Sequence, residues 1–327
     1  MSKNLAIVGA TGLVGRTFIK VIEEYNLKFD NIILLASKKS QGKELEFFDK
    51  KIKVQELTEN SFTDIDIALF SAGSEVSRIY APIAKTCGAT VIDNSSFFRM
   101  YFNVPLVVPE INLEDIGSAK LIANPNCSTI TAVIALNAIK HLGLSSVRYT
   151  TFQAVSGAGQ KGLTDLNNTL SGKKALYFNA DISKTCIPQI DDFTDGGYTK
   201  EEVKMANETR KILHMPHLKV SSTCVRVPVP NSHAVAVAVE LSNRFDLEDV
   251  YNAFFNAKGL NVIDEPQKRL YPLSTIANGS DLTYVGRIRR DTASQNGLLF
   301  YCVADNLRKG AASNAVQIAQ YLINKNT

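Results

Sequence analysis

Cys127 stands in Asn124-Pro125-Asn126-Cys127-Ser128-Thr129. An apolar run, Leu121-Ile122-Ala123, precedes it and reads as a strand. Ile130, Val133, Ile134 and Ile139 follow at spacings that roughly share one helical face. The thiol is thereby predicted to sit where a strand turns into a helix. There, unpaired backbone N–H groups and the macrodipole favour a thiolate. A thiolate is a nucleophile, and Ser128 with the nearby backbone amides is expected to steady an oxyanion beside it. A lone cysteine also serves simply as a small buried apolar residue.

A second chemical feature opens the chain. Leu5-Ala6-Ile7-Val8 reads as a buried strand, Gly9-Ala10-Thr11-Gly12-Leu13-Val14-Gly15 as a turn, and Phe18, Ile19 and Ile22 as one face of a helix. This is how a dinucleotide-binding βαβ unit begins. Gly9 permits the tight turn, Gly12 lets backbone approach a pyrophosphate at the helix N-terminus, and Gly15 lets the helix pack close. The spacing is GxxGxxG. A second strand, Ile32 to Leu35, runs into Ala36-Ser37-Lys38-Lys39-Ser40. NAD-preferring folds place a carboxylate here for the ribose hydroxyls. Hydroxyls and two ammonium groups suit a 2′-phosphate instead, so NADP is expected, although Lys38, Lys39 and Lys43 also fit a solvated loop.

The elements that must hold these residues alternate. Asp66 to Phe70 is a strand, Ser71-Ala72-Gly73-Ser74 its turn, a helix runs to about Cys87, and Thr90 to Asp93 is the next strand. That pattern predicts a doubly wound parallel sheet with ligand at its C-terminal strand ends, which brings the Ser71–Ser74 turn to the cofactor. Beyond the helix after Cys127 the texture changes. Val147 to Val155, Leu218 to Val229, Ala234 to Leu241 and Gly297 to Val303 are long strand-like runs. They predict an α+β domain with a largely antiparallel or mixed sheet, one face covered by helices and one spare for a second copy. Gly157 to Gly197 has few periodic apolar positions and is expected to be an irregular, partly mobile insertion. Gly310 to about Asn324 reads as a final helix returning to the first domain.

Bulk properties bound the function. The chain has 327 residues, 45% hydrophobic, enough for two domains. Net charge is 36 − 32 = +4 with no long basic run, so nucleic-acid binding is not implied. Cys87, Cys127, Cys186, Cys224 and Cys302 show no metal-ligand spacing or disulfide framework. With no charged-then-apolar leader and no apolar run near the ~20 residues of a membrane span, the cytoplasm is expected.

Taken in order, GATGLVG, NPNCST, Gln153 with Ser156-Gly157-Ala158-Gly159, Glu201-Glu202-Val203-Lys204, Arg226 with His233, and Asp305-Asn306-Leu307-Arg308-Lys309-Gly310 form an ordered set. The chain resembles the bacterial aspartate-semialdehyde dehydrogenases over essentially its whole length. The resemblance implies a Rossmann domain over 1–127 completed by a C-terminal helix over 308–327, and a catalytic and dimerisation domain over 128–307. It implies phosphate-dependent, reversible oxidation of L-aspartate 4-semialdehyde to 4-phospho-L-aspartate with NADP, on the route to lysine, methionine and threonine. By the same resemblance Cys127 forms a thioester, and His233 is a general acid/base whose unperturbed pKa lies near neutrality. Arg226 holds the substrate carboxylate and Glu201 its ammonium. Arg99 and Lys204 bind phosphate, and Gln153 positions the acyl group. Cofactor contacts are expected from Gly9, Thr11, Gly12, Leu13, Val14, Ser37, Lys38, Lys39, Ser40, Ser71, Gly73, Ser156, Gly157 and Asn306. No metal is expected, and the assembly is a homodimer or a tetramer. Lys38-Lys39 stands where many relatives have Arg, which leaves open the group that holds the 2′-phosphate. The alternatives are an N-acetyl-γ-glutamyl-phosphate reductase, whose substrate lacks a free amine, and a non-catalytic NADP-binding regulatory protein.

Overall fold

The computed structural model describes residues 3–325. The chain divides into two compact units, Met1–Pro125 with Ala311–Thr327, and Asn126–Gly310. The first unit runs β1 (Asn4–Val8), α1 (Leu13–Glu24), β2 (Asn31–Ala36), β3 (Glu44–Phe47), β4 (Lys50–Lys53), β5 (Gln55–Glu56), β6 (Ile67–Phe70), α2 (Ser74–Thr86), β7 (Thr90–Asp93), α3 (Pro109–Asn112) and β8 (Leu121–Ala123). Its main sheet has the order β5-β2-β1-β6-β7-β8, and every neighbouring pair is parallel. The central strands are short and mostly apolar, all four residues of β6 being buried, as a sheet covered on both faces requires, whereas the edge strand β5 is Gln55–Glu56. A lysine-rich ribbon, β3 against β4, lies outside that sheet.

The second unit holds α4 (Cys127–Ala138), β9 (Leu144–Gln153), α5 (Gln160–Leu170), α6 (Lys200–Ile212), β10 (Lys219–Arg226), β11 (His233–Leu241), α7 (Leu247–Phe255), β12 (Leu260–Val262), α8 (Ser274–Ala277), β13 (Thr283–Arg290) and β14 (Gly297–Ala304). The sheet order is β10-β9-β11-β14-β13-β12. β9 pairs parallel with β10 and β12 with β13, while β11 and β14 pair antiparallel with their neighbours. The mixed sheet expected from the long strands is present. β9 shows the period-2 logic of a one-sided strand: Val147, Tyr149 and Thr151 are buried and Arg148 and Thr150 exposed. α4 packs on β11, β13 and β14, and α6 on β10. The other face carries Phe152, Tyr284 and Tyr301, all part-exposed.

The chain ends in a π turn at Arg308–Ala312 and α9 (Ser313–Lys325). α9 belongs to the first unit, where Ala312, Ala315, Val316, Ile318 and Ala319 share a core with Phe18, Ile22 and Ile92.

Two expectations are corrected. Gly157 to Gly197 contains the three-turn helix α5. Its apolar signal is thin because Asp165, 1% exposed, does part of the anchoring: the carboxylate accepts the N–H groups of Leu176 and Phe178 and so ties down the following loop. α4 is also not one-faced, since every residue from Ser128 to Leu136 is buried. A helix apolar all round is a core helix.

Candidate active site

In the first unit the glycines of the opening turn have distinct physical roles. Gly9 has φ +86°, and a Cβ there would lie 2.3 Å from the Ser71 carbonyl oxygen. A Cβ on Gly15 would lie 2.2 Å from the Gly9 carbonyl oxygen, so a side chain would push α1 off the strand. Gly12 is exposed and is the N-cap of α1, with no side chain capping the helix among the described residues. The Gly12 N–H donates to the Gly9 carbonyl, and the N–H groups of the first turn of α1 remain available to an anion. Gly73, φ +91°, plays the same part for α2. Thr11 reaches Ser40, Oγ1 to Oγ 3.4 Å, which fixes the turn Lys38–Ser40 beside the glycine loop. Ser37, Lys38 and Lys39 are exposed there, and Leu13 and Val14 are half-buried in the first turn of α1. These residues fit a phosphorylated dinucleotide.

Arg99 also belongs to this unit. Asp93, at the end of β7, accepts from the Ser95 N–H and from the Ser77 and Ser95 hydroxyls. The turn so fixed leads to Arg99, whose Nε donates to the Asn124 carbonyl and Nη2 to the Asn94 carbonyl. The guanidinium is 7% exposed and held by backbone.

The second unit gathers Cys127, Gln153, Glu201, Lys204, Arg226 and His233. Register explains half of this. Gln153 and Arg226 are paired ends of β9 and β10, and His233 begins β11, one residue before the Ala234–Phe152 pair. The backbone of one residue then locks two of the side chains: the Ala154 N–H donates to His233 Nδ1 at 3.0 Å, and Arg226 Nη1 donates to the Ala154 carbonyl at 2.6 Å. Because Nδ1 accepts, the proton of a neutral imidazole lies on Nε2. That Nε2 is buried and has no partner among the described residues. A Cβ built on Gly157 would lie 2.8 Å from Arg226 Nη1 and 3.1 Å from His233 Nε2, so both groups approach the same side of a residue that must lack a side chain.

Burial drives the His233 pKa well below 6.5, and the Arg226 charge lowers it further. The unfolded chain keeps the ordinary value, so on acidification it takes up the proton first. The contribution of neutral His233 to stability is full above about pH 6.5 and is lost as pH falls towards the depressed folded value. Tm is expected to fall on acidification below pH 6.5, and to fall less steeply in His233→Gln. Parallel acid limbs for the two proteins would show that His233 is not the group responsible.

Asn126 is the N-cap of α4. Its Oδ1 accepts from the Ser128 and Thr129 N–H groups at 2.9 and 3.1 Å. Those amides are therefore taken by the cap, while the buried Ser128 hydroxyl has no hydrogen-bond partner among the described residues. The two amides are thus engaged, while among the described residues the Ser128 hydroxyl and the His233 Nε2–H are not. Glu201 joins the cluster: Oε1 accepts from Asn126 Nδ2 at 2.8 Å and Gln153 Nε2 at 3.1 Å, and Oε2 lies 3.4 Å from Lys204 Nζ. Lys204 also donates to Asp191 at 2.6 Å. Burial opposes ionisation of Asp191, yet the Lys204 ammonium and the Asp192 N–H hold its pKa down. Ser156 and Asn306 are buried and bonded to each other, Nδ2 to Oγ 2.9 Å, while Asn306 Oδ1 accepts the Ser232 N–H.

Sequence reasoning missed Asn126, Ala154, Asp191 and Gly310. Asn126 carried a signal, an N-cap residue type just before a helix. Ala154 acts through its backbone and has none. A Cβ on Gly310 would come within 3.0 Å of Cys127 Cβ, a contact set by the fold and not by spacing. Among the described residues no group of three or more His, Cys, Asp or Glu could hold a metal ion, and no helix is long and apolar enough to cross a membrane.

Residues 4–119 match the model for the semialdehyde dehydrogenase NAD binding domain, and residues 136–309 that for the semialdehyde dehydrogenase dimerisation domain. An aspartate-semialdehyde dehydrogenase of Aquifex aeolicus is 50% identical, over 99% of this chain and 98% of its own. Among solved structures, aspartate semialdehyde dehydrogenase II of Vibrio cholerae complexed with ASA superposes with a TM-score of 0.94 at 43% identity, covering 99% of both chains. The Candida albicans enzyme with NADP gives 0.80 at 25% identity, covering 100% of this chain and 99% of that one.

Proposed function

The chain belongs to the aspartate-semialdehyde dehydrogenase family, and from that premise we propose that it oxidises L-aspartate 4-semialdehyde to 4-phospho-L-aspartate, reversibly, with NADP and phosphate. The observation that carries the reading is the convergence beside Gly157 of a buried Arg226 and an unpartnered imidazole N–H. Among the described residues Arg226 spends one donor on Ala154, so most of its fork is open to a carboxylate. The Cys127 thiolate and the Arg226 guanidinium attract each other, which puts nucleophile and carboxylate anchor in one field.

The chemistry then follows from this chain's atoms. Cys127 Sγ bonds to the aldehyde carbon, and the carbonyl electron pair moves to oxygen. His233 Nε2–H donates a hydrogen bond to that alkoxide and needs no change of protonation. NADP, when bound, accepts the hydride whose departure turns the adduct into a thioester. Phosphate attacks the thioester carbon and the Cys127 thiolate leaves. Arg99 and Lys204 are the proposed phosphate cations, Gln153 the proposed acyl-positioning group and Glu201 the partner of the substrate ammonium. Ser156, Gly157 and Asn306 are the second unit's candidates for cofactor contact, and the glycine loop with Ser37, Lys38, Lys39, Ser40, Ser71 and Gly73 the first unit's.

NADPH formation with L-aspartate semialdehyde and phosphate, run beside N-acetylglutamate semialdehyde, tests the substrate. Equal or better use of the acetylated compound would overturn the reading. Replacing Lys38 and Lys39 together by Glu should erode NADP preference over NAD by repelling the 2′-phosphate. An unchanged ratio of kcat/KM would place that phosphate elsewhere.

We further place a homodimer contact on the part-exposed face around Phe152, Tyr284 and Tyr301, the matched dimerisation model supporting it. A solution mass of one chain would refute that. The five free cysteines fit a reducing cytoplasm.

A further inference from the structure

We propose that Glu208, which contacts neither substrate nor cofactor in this scheme, is a positioning residue for the nucleophile. The inference rests on Cys127 being that nucleophile.

α6 presents Glu201, Met205 and Glu208 at i, i+4 and i+7, one face of the helix, and all three are buried. That face runs along the start of α4. Glu201 Oε1 accepts from Asn126 Nδ2 at 2.8 Å, the Thr129 hydroxyl lies 3.4 Å from Met205 Sδ, and Glu208 Oε2 accepts the Asn126 N–H at 2.6 Å. Asn126 is thereby gripped twice by α6, once through its side chain and once through its backbone. Its Oδ1 meanwhile holds the first two amides after Cys127. With both grips in place the residue preceding the thiol has little rotational freedom, and the cap that orients the first turn of α4 is fixed from outside the helix.

Glu208 is 1% exposed. A carboxylate in such a place is costly to desolvate unless well partnered, so burial alone does not account for it. Glu202, on the same helix and 8% exposed, shows what a purely architectural partner looks like. Its Oε2 accepts the Thr199 N–H and its Oε1 the Cys224 N–H, closing a capping box and pinning β10. Glu208 Oε2 instead accepts from Asn126, whose side chain caps the nucleophile's helix.

Glu208→Gln keeps an acceptor oxygen at the same reach and removes the acid. Glu208→Ala removes both. Glu208→Asp keeps the acid but withdraws it by one methylene. Each variant is assayed in the full-length enzyme for kcat, for NADP binding and for the pH midpoint of iodoacetamide labelling at Cys127, read on its own peptide by mass spectrometry. We expect kcat to fall at least about tenfold in the Ala and Asp variants and to be largely kept in Gln, with NADP affinity unchanged in all three. The labelling midpoint should lie higher in Ala than in Gln by about half a unit or more. Both lack the acid, and only Ala loosens the cap that presents the helix N-terminus to sulfur. Glu202→Gln should lower Tm and leave kcat and the midpoint in place. Should Ala fail to fold, the Asp and Gln variants decide. Equal kcat in Asp and Gln, a wild-type kcat in Ala, or one shared midpoint for Ala and Gln would overturn the assignment. Because the labelling uses no substrate, a wrong semialdehyde shows itself separately, as absent turnover in wild type with the midpoint difference intact.

Discussion

Cys127→Ala is expected to lose more than about ten-thousandfold of its turnover, the scale on which removal of a covalent nucleophile acts elsewhere. Cβ remains, so the approach to Gly310 keeps its contact surface. The cap remains too, because Asn126 holds the amides of residues 128 and 129 and not the thiol. Tm and NADPH affinity should therefore match wild type while kcat collapses. Binding is read by NADPH fluorescence and turnover by absorbance. A variant that still turns over at a tenth of the wild-type rate would mean that hydride transfer needs no thiohemiacetal, and the covalent route would be wrong.

The second large effect is Arg226→Lys. The charge is kept and the fork is lost. An ammonium can serve the Ala154 carbonyl or a substrate carboxylate, but it cannot do both in the geometry that a guanidinium spans. The missing charged hydrogen bond should cost about 1.5–3 kcal/mol, or roughly ten- to a hundredfold or somewhat more in kcat/KM. Part should appear in kcat, since a tilted aldehyde meets sulfur at the wrong angle. His233 keeps its own tie to the Ala154 N–H and still faces a positive charge, so the pH profile should keep its shape. Unaltered kcat/KM for the semialdehyde would move the carboxylate to another anchor.

Much of the fold was legible because its signals are local. The Gly9, Gly12 and Gly15 turn is a property of seven consecutive residues, and β1, β2, β6 and β7 are apolar runs bounded by turn residues. β13 was not legible. Three arginines, Arg287, Arg289 and Arg290, stand in it, and a bulge between Gly286 and Arg289 breaks the alternation that would have marked it. α5 escaped because Asp165 anchors it from inside. The site divides in the same way. Cys127 announces itself by position, and the ordered motifs bring Arg226 and His233 with it. The tautomer of His233 was invisible, being set by a backbone amide 79 residues away in sequence. Its low pKa was invisible too, because burial is a property of the folded packing. The Lys204–Asp191 pair joins residues from a loop and a helix that no periodicity links.

The place of α9 bears on how the protein is made. On the ribosome the first 125 residues emerge with six parallel strands and no closing helix. The side chains that α9 covers, Phe18, Ile22 and Ile92 among them, face water until α9 itself has left the tunnel. At bacterial-like elongation speeds of about 5–20 residues per second, the roughly two hundred intervening residues leave that apolar surface open for roughly 10–40 s. Chaperones are the natural occupants of such a surface, and a message truncated before codon 313 yields a chain they cannot release as folded. Quality control is thus built into the chain's order: the nucleotide-binding half is finished only when the entire catalytic half has already been translated.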